Sequence, residues 1–331
     1  MYCRCLSSGS QFNFSSKSMN EIRKRIKTEL KNENIMIQGK SVIDGLKRRI
    51  SNTDKQTCWL NACLQMILCG IDYSSNVEFN SLLGRELQNL QCEQFINPTR
   101  LKLLFQEEID RNSYRLEREN LLFGQQDARD FLINITENKE NWLDVYHTFH
   151  HVTVQTLACR NCKTESYYRS SSIFHEMTCP PDNSRLRNYI EQIFSCSEEV
   201  EYTCEKCQKT GLFKKSLKIC SDESSEFMIF VLTRGIMDSI NNYNNRIIVT
   251  DNCIIEDHEY NQHTYEPIAV IEHEGTFTSS TNTEGHYVCD VKHIQDREWY
   301  NTDDESIPKC IPLNQVTKYG YIILYRKFRQ K

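Results

Sequence analysis

Thr57-Cys58-Trp59-Leu60-Asn61-Ala62-Cys63-Leu64-Gln65-Met66-Ile67-Leu68-Cys69 is the stretch on which the reading of this chain turns. Leu60, Cys63, Leu64, Ile67 and Leu68 fall at i, i+3, i+4, i+7 and i+8, the buried stripe of an amphipathic helix. Thr57 is expected to cap that helix, which puts Cys58 in its first turn. There a thiol faces unpaired backbone N–H groups and the positive end of the helix dipole, and both favour thiolate. Cys63 lies on the apolar stripe and Cys69 at the helix end, where core packing accounts for them. A first-turn cysteine alone is more often structural than catalytic, so a nucleophile at Cys58 needs a base elsewhere in the chain.

Gly285-His286-Tyr287 opens a predicted strand that runs to His293, and Glu298-Trp299-Tyr300-Asn301-Thr302 forms a second one before Asp303-Asp304. A hairpin turning at Ile294-Gln295 would set His286 directly opposite Asp303, with Cβ atoms about 4.5–5.5 Å apart. A slip of one residue would break that pairing. An imidazole held by a carboxylate and able to reach a thiol is what Cys–His catalysis requires. An isolated histidine would be read as an ordinary hydrogen-bonded residue, so His286 takes its meaning from its partners.

Cys159-Arg-Asn-Cys162 and Cys204-Glu-Lys-Cys207 repeat one spacing with 41 residues between them. Four thiolates satisfy tetrahedral Zn2+, and two such knuckles at hairpin tips can meet across a long insertion. Ordinary buried thiols would have to produce this spacing twice by chance, and a redox motif expects a thioredoxin-like βαβ context that is missing. A four-cysteine site has no open position, so the metal is expected to be structural.

Around these motifs the chain changes texture. Residues 1–44 read as an N-terminal extension, partly disordered or with a short helix at Asn20 to Lys31. A second helix reads from Gln125, with Ala128, Phe131, Leu132 and Ile135 on one face, so 58–148 form a helical half. After His150 come predicted strands at 152–157, 167–174, 227–232, 265–271, 286–293 and 319–325, while 240–263 and 274–284 read as surface loops. At 331 residues, 39% hydrophobic and 26% charged, the chain is expected to be globular, in one elaborated domain or two small ones. There is no apolar run long enough to span a bilayer and no secretory signal pattern, so no membrane partner is expected. Sixteen cysteines in a chain of this kind point to a reducing intracellular compartment, cytoplasm or nucleus. A net charge of -5 offers no general attraction to nucleic acid, and a zinc-dependent nucleic-acid binder would need a clustered basic face that is not seen.

Taken in order, these segments resemble the ubiquitin-specific protease family from about residue 45 to 328. Thr57 to Gln65 resembles its cysteine box and Gln125-Gln126-Asp127-Ala128-Arg129-Asp130-Phe131-Leu132 its Gln-Gln-Asp box. Gly285-His286-Tyr287, Trp299-Tyr300 and Asp303-Asp304 resemble its histidine box, and Tyr321 to Arg326 its closing strand. The resemblance implies an α+β, papain-like fold: a helical thumb (45–150), zinc-bearing β-rich fingers (151–235) and a β-sheet palm (236–331). It implies a thiol protease acting after the C-terminal glycine of ubiquitin, with Cys58 as nucleophile, His286 as base and Asp303 orienting it. Asp304 is expected to act behind them, and Gln125, Asp127, Gly285, Tyr287 and Trp299 to bind the ubiquitin tail.

One segment departs from the family pattern. The family carries an Asn five residues before the cysteine and a Gly-Asn pair shortly after that Asn; here position 53 is Thr, and Lys55-Gln56 replace the pair. Asn52 is one residue off register, so the oxyanion donor is Asn52, Gln56, Thr53 or the backbone alone. Losing one such donor typically costs about 10²–10³ in rate. The departure supports one alternative, a weakly active or inactive ubiquitin-binding module; a second, a protease for another ubiquitin-like modifier, stands because one sequence does not show which globular body fits the fingers.

Overall fold

The computed structural model describes residues 44–52, 57–74, 81–98, 101–102, 126–137, 139–140, 142–234, 245–274, 285–313 and 319–328. The N-terminal extension up to residue 43, Thr53, Lys55, Gln56, Gln125, Gly235, Ile236, 240–244 and nearly all of the 274–284 loop lie outside them.

The described chain divides into two compact units. The first takes residues up to Asp144 together with His273–Cys310. Its centre is the helix Cys58–Tyr73, in which every residue but Asp72 is buried. That one helix is enclosed on nearly all sides explains why Asn61 and Gln65 are interior along with the predicted stripe. Trp59 meets Phe131 edge-on at 6.3 Å, and Phe131 meets Trp142 at 5.3 Å, which ties in the helix Ala128–Glu137. The indole of Trp142 donates to Asn134 Oδ1 at 3.2 Å, so its polar edge is satisfied inside the core. The helix Leu82–Gln91 and the short parallel pair Arg49–Ile50 and Phe95–Ile96 complete the helical part. Against the central helix lies the strand His286–Lys292, followed in the sheet by Trp299–Thr302 and Lys309–Ile311.

The hairpin register differs from the expectation. Lys292 opposes Trp299 and Cys289 opposes Thr302, so the ladder is displaced by two residues from the one that would put His286 opposite Asp303. The turn is longer than the two residues expected: His293 N donates to Glu298 O, Arg297 N donates to His293 O, and Arg297 takes a positive φ of 64°. A displacement of two keeps every side chain on its face.

The second unit takes Val145–Glu272 and the chain from Ile311 onward. It holds a sheet ordered Gln262–Glu274, Gly320–Lys327, Phe227–Thr233, Phe174–Thr178, whose Phe227–Leu232 run is wholly buried. It also holds a four-stranded antiparallel sheet ordered Glu165–Ser172, His151–Cys159, Thr210–Ile219, Ser197–Thr203. The predicted strand 167–174 is in fact two, broken at Ile173. The segment read as a loop at 240–263 contains a strand, Cys253–Glu256, with Cys253 and Ile255 fully buried against Gln262–Glu274. The helix Leu186–Ser195 buries Leu186, Ile190 and Phe194, an i, i+4, i+8 stripe visible in the sequence but passed over there.

Candidate active site

Cys58 is the first residue of its helix, as its sequence position required. The expected side-chain cap is not made: Thr57 occupies the N-cap position, but its hydroxyl accepts from Lys102 Nζ at 3.0 Å instead. Asn52 compensates, its Oδ1 accepting the Thr57 N–H at 2.9 Å just ahead of the first turn. The N–H groups of the first turn therefore keep their field at Cys58.

His286 opens the strand packed on this helix and lies within hydrogen-bonding reach of the Cys58 sulfur. Its Nε2 is 2.7 Å from Asp303 Oδ1, which leaves the other ring nitrogen for the sulfur. The diagonal register makes this contact, because residues two positions off a cross-strand pair are still within reach of long side chains. The Cys58 sulfur, and then Asp303, raise the imidazole to about 9 against the opposing effect of burial. Cys58 is 2% exposed, while the His286 and Asp303 side chains keep 39% and 42% of their surface.

Asp304 follows in a left-handed conformation, φ 46°, which turns its carboxylate inward, away from the ladder. Its Oδ1 accepts from Asn61 Nδ2 at 2.7 Å and its Oδ2 from Asn52 Nδ2 at 2.6 Å. Burial pushes the Asp304 carboxyl up, and the two amides and the charge of His286 draw it back down. The same loop holds residues 50–52 through Ile50 N to Asp304 O and through Ser51 Oγ and Asn52 N to Glu305 Oε1. Asn61 also donates to Ser51 O at 3.2 Å. Sequence reading passed over Asn61 and Glu305; an amide set among apolar residues of a buried helix was the available signal for Asn61.

The other expected site residues divide. Asp127 is exposed just before its helix and accepts from Arg129 N at 2.9 Å; burial first, and then the Asp127 charge, raise the thiol of Cys63 and push Asp130 up to about 6. Gly285 lies so close to His273 that a Cβ there would collide with the imidazole Nε2. Tyr287 is 7% exposed and rests on the same His273 ring at 4.5 Å. Trp299 is not brought to the thiol: it is 3% exposed and pairs with Lys292, about 20 Å along the strand from His286.

In the second unit the four cysteines converge. Cys159 Sγ is 3.9 Å from Cys207 Sγ and Cys162 Sγ is 3.6 Å from Cys204 Sγ, and all four sulfurs lie within 4.8 Å of one another. Tetrahedral ligation at a Zn–S distance of about 2.3 Å separates sulfurs by about 3.8 Å, so the cluster fits a metal ion. The two knuckles share one backbone design. Lys163 N donates to Cys159 O and Gln208 N to Cys204 O, with φ of 58° at Lys163 and 55° at Gln208. Leu157 and Phe213 pack beside the sulfurs.

Residues 48–325 match the family model described as ubiquitin carboxyl-terminal hydrolase. The chain belongs to that family. A relative within it, ubiquitin carboxyl-terminal hydrolase 48 of Gallus gallus, is 28% identical over 209 residues, covering 56% of this chain. This chain matches only 19% of that relative's length. Two solved structures of the SAGA DUB module Ubp8/Sgf11/Sus1/Sgf73 share the fold. The one bound to monoubiquitin superposes with a TM-score of 0.61 at 19% identity, and the one bound to ubiquitin aldehyde with 0.58 at 17%. Each likeness covers 87% of this chain and 70% of the other. At these identities they speak to the fold, which is the α+β protease fold expected from the motifs. No helix among the described residues is long and apolar enough to cross a membrane.

Proposed function

We propose that the chain is a thiol-dependent deubiquitinase that hydrolyses the peptide or isopeptide bond after the C-terminal glycine of ubiquitin. The observation that carries this reading is the Cys58–His286–Asp303 array within a family match running from 48 to 325. The Cys58 thiolate attacks the glycyl carbonyl, and His286 passes a proton to the departing amine. A water deprotonated by His286 then releases the acyl-enzyme. Asp303 fixes the imidazole tautomer and stabilises its charged form. Asn52 is the oxyanion donor: its Oδ1 and one amide hydrogen are engaged by Thr57 and Asp304, which aligns the second hydrogen for the substrate oxygen. Asp304 is thus a positioning residue. Asp127, with Gln125, holds the extended ubiquitin tail, and Gly285 and Tyr287 shape the approach to the base.

Residues 45–331 form the catalytic domain of this reading, with thumb, fingers and palm at 45–150, 151–235 and 236–331. Cys159, Cys162, Cys204 and Cys207 hold zinc, whose contribution is to pin the two knuckles together. The sixteen cysteines of the chain, four of them placed to hold a metal, fit a reducing compartment, cytoplasm or nucleus.

The test is a ubiquitin-tail probe carrying a thiol-reactive warhead, run beside probes built on other ubiquitin-like modifiers. Labelling by the ubiquitin probe that is lost in Cys58→Ala supports the proposal; labelling that survives the substitution removes Cys58 as nucleophile. The replaced segment around Thr53 and Lys55-Gln56 favours a second reading, a binding module with little turnover. A fluorogenic ubiquitin substrate separates the two.

A further inference from the structure

We infer that the first unit carries a second site, a cavity built to bind a small anion bearing carboxylate or phosphate oxygens, with Arg48 as its principal donor. The cavity, about 660 Å³, is of the size that ordinarily holds a small ligand. Its walls come from Asp44–Arg48, the C-terminal end of the cysteine helix, Gln88 and Gln91, and the Val291–Gln295 end of the histidine hairpin. It therefore sits at the far end of the helix from Cys58, about 16 Å away counted from Cys69, and is separate from the hydrolytic chemistry.

Arg48 is the unusual residue of this cavity. Its side chain is 1% exposed, and Nη2 pairs with Asp72, yet Nε and Nη1 have no acceptor among the described residues. Buried donors of native proteins are almost always satisfied, and leaving those of a cation unmade is costly. The neighbouring carboxylates are already engaged: Asp72 Oδ1 accepts from Gln91 at 3.1 Å, and Asp44 Oδ1 accepts from Leu46 N and faces His293 Nε2. Lys47, Arg48 and Lys292 line the space against Asp44 and Asp72, which leaves an excess of positive charge. Gly45 keeps the ion pair uncovered, since a Cβ there would sit 2.8 Å from Arg48 Nη2 and 3.2 Å from Asp72 Oδ2. Arg48 lines the cavity and its Nε and Nη1 are buried without an acceptor, so an anion seated there is the acceptor these donors lack. Such an anion also neutralises the excess charge.

The experiment titrates the full chain with inorganic phosphate and, separately, with citrate, at ionic strength held constant with sodium chloride, reading thermal midpoint and heat of binding. A saturable rise with either probe is expected. Arg48→Met should weaken it by about tenfold or more, as loss of charge-assisted hydrogen bonds implies. Should Arg48→Met not fold, Gly45→Ala and Lys292→Gln, which alter the wall and the charge, should weaken binding in its place. Preference for phosphate or citrate identifies the oxygen chemistry. No saturable response in the wild-type chain, or equal binding in the folded variants, means that the cavity holds water only and overturns the inference. Reactivity of Cys58 plays no part in the readout, so failure here leaves the protease reading standing, and the reverse.

Discussion

Asn61 donates one amide hydrogen to Ser51 O and one to Asp304 Oδ1, and through them the cysteine helix grips both the Asn52 segment and the loop behind His286. Asn61→Ala should lower stability by about 1–3 kcal/mol by leaving the half-buried acceptors on Ser51 and Asp304 without this donor. It should also lower kcat more than it raises KM, because what it disorders is Asn52, the proposed oxyanion donor; a change in KM alone would contradict that assignment. Asn52→Ala should cost about 10²–10³ in kcat with the probe still bound. His286 gives a pH signature. Its folded pKa, about 9, lies above the unfolded value near 6.5, so the stabilisation from its charged form is complete below about 6.5 and is lost as pH rises toward 9. Activity should fall on the same alkaline limb, and Asp303→Asn should move that limb to lower pH; a limb unmoved by the substitution would take Asp303 away from the imidazole. The places of Cys58 and His286 were legible because one begins a helix and the other a strand, and both leave local marks. Asp304 and Asn52 were named from the family resemblance, but the link that Asp304 makes between Asn52 and Asn61 was not legible, since a left-handed residue joining three distant segments has no periodic signal.

The histidine hairpin shows how a strand element can be read correctly from a wrong turn. Both strands were evident from their β-branched and aromatic residues, while the turn length depended on Arg297 accepting a positive φ, which composition does not reveal. The displacement of two residues left His286 and Asp303 on one face, and the contact survived; a displacement of one would have separated them. Gly285→Ala tests the strand's entry. Its Cβ must displace the His273 ring on which Tyr287 rests, so probe labelling should slow at least about tenfold with little change in global stability. The CxxC knuckles were legible because a cluster able to ligate one metal ion requires such a spacing. Stripping metal with a chelator, or Cys204→Ser, should loosen Glu165–Ser172, His151–Cys159, Ser197–Thr203 and Thr210–Ile219 together, seen as faster amide exchange there, with the Cys58–Tyr73 helix unchanged. Slow exchange in those strands after metal removal would mean that Leu157 and Phe213 suffice without it.

Across the whole molecule the ionisable groups buried in the two units respond to acid with opposite sign. In the second unit burial, with the charges of His175 and His150, holds His151 down to about 3, below its unfolded value near 6.5. Its contribution is therefore full above 6.5 and is lost as pH falls toward 3, because the unfolded chain takes up the proton first. His175 is lowered by burial in the same direction. In the first unit burial raises Asp130 and Asp290 to about 6, above their unfolded range. For them the folded state takes up the proton first, so acidification from about 6 toward 4 relieves a cost. Between pH 7.5 and 4.5 the second unit should lose stability while these carboxylates favour the first, and amide exchange measured segment by segment reads each separately. His151→Phe, which keeps the ring and removes the proton site, should flatten the acid response of the strands around it. If both units soften in parallel, or if His151→Phe leaves the response unchanged, the buried imidazole is not what makes the second unit acid-sensitive.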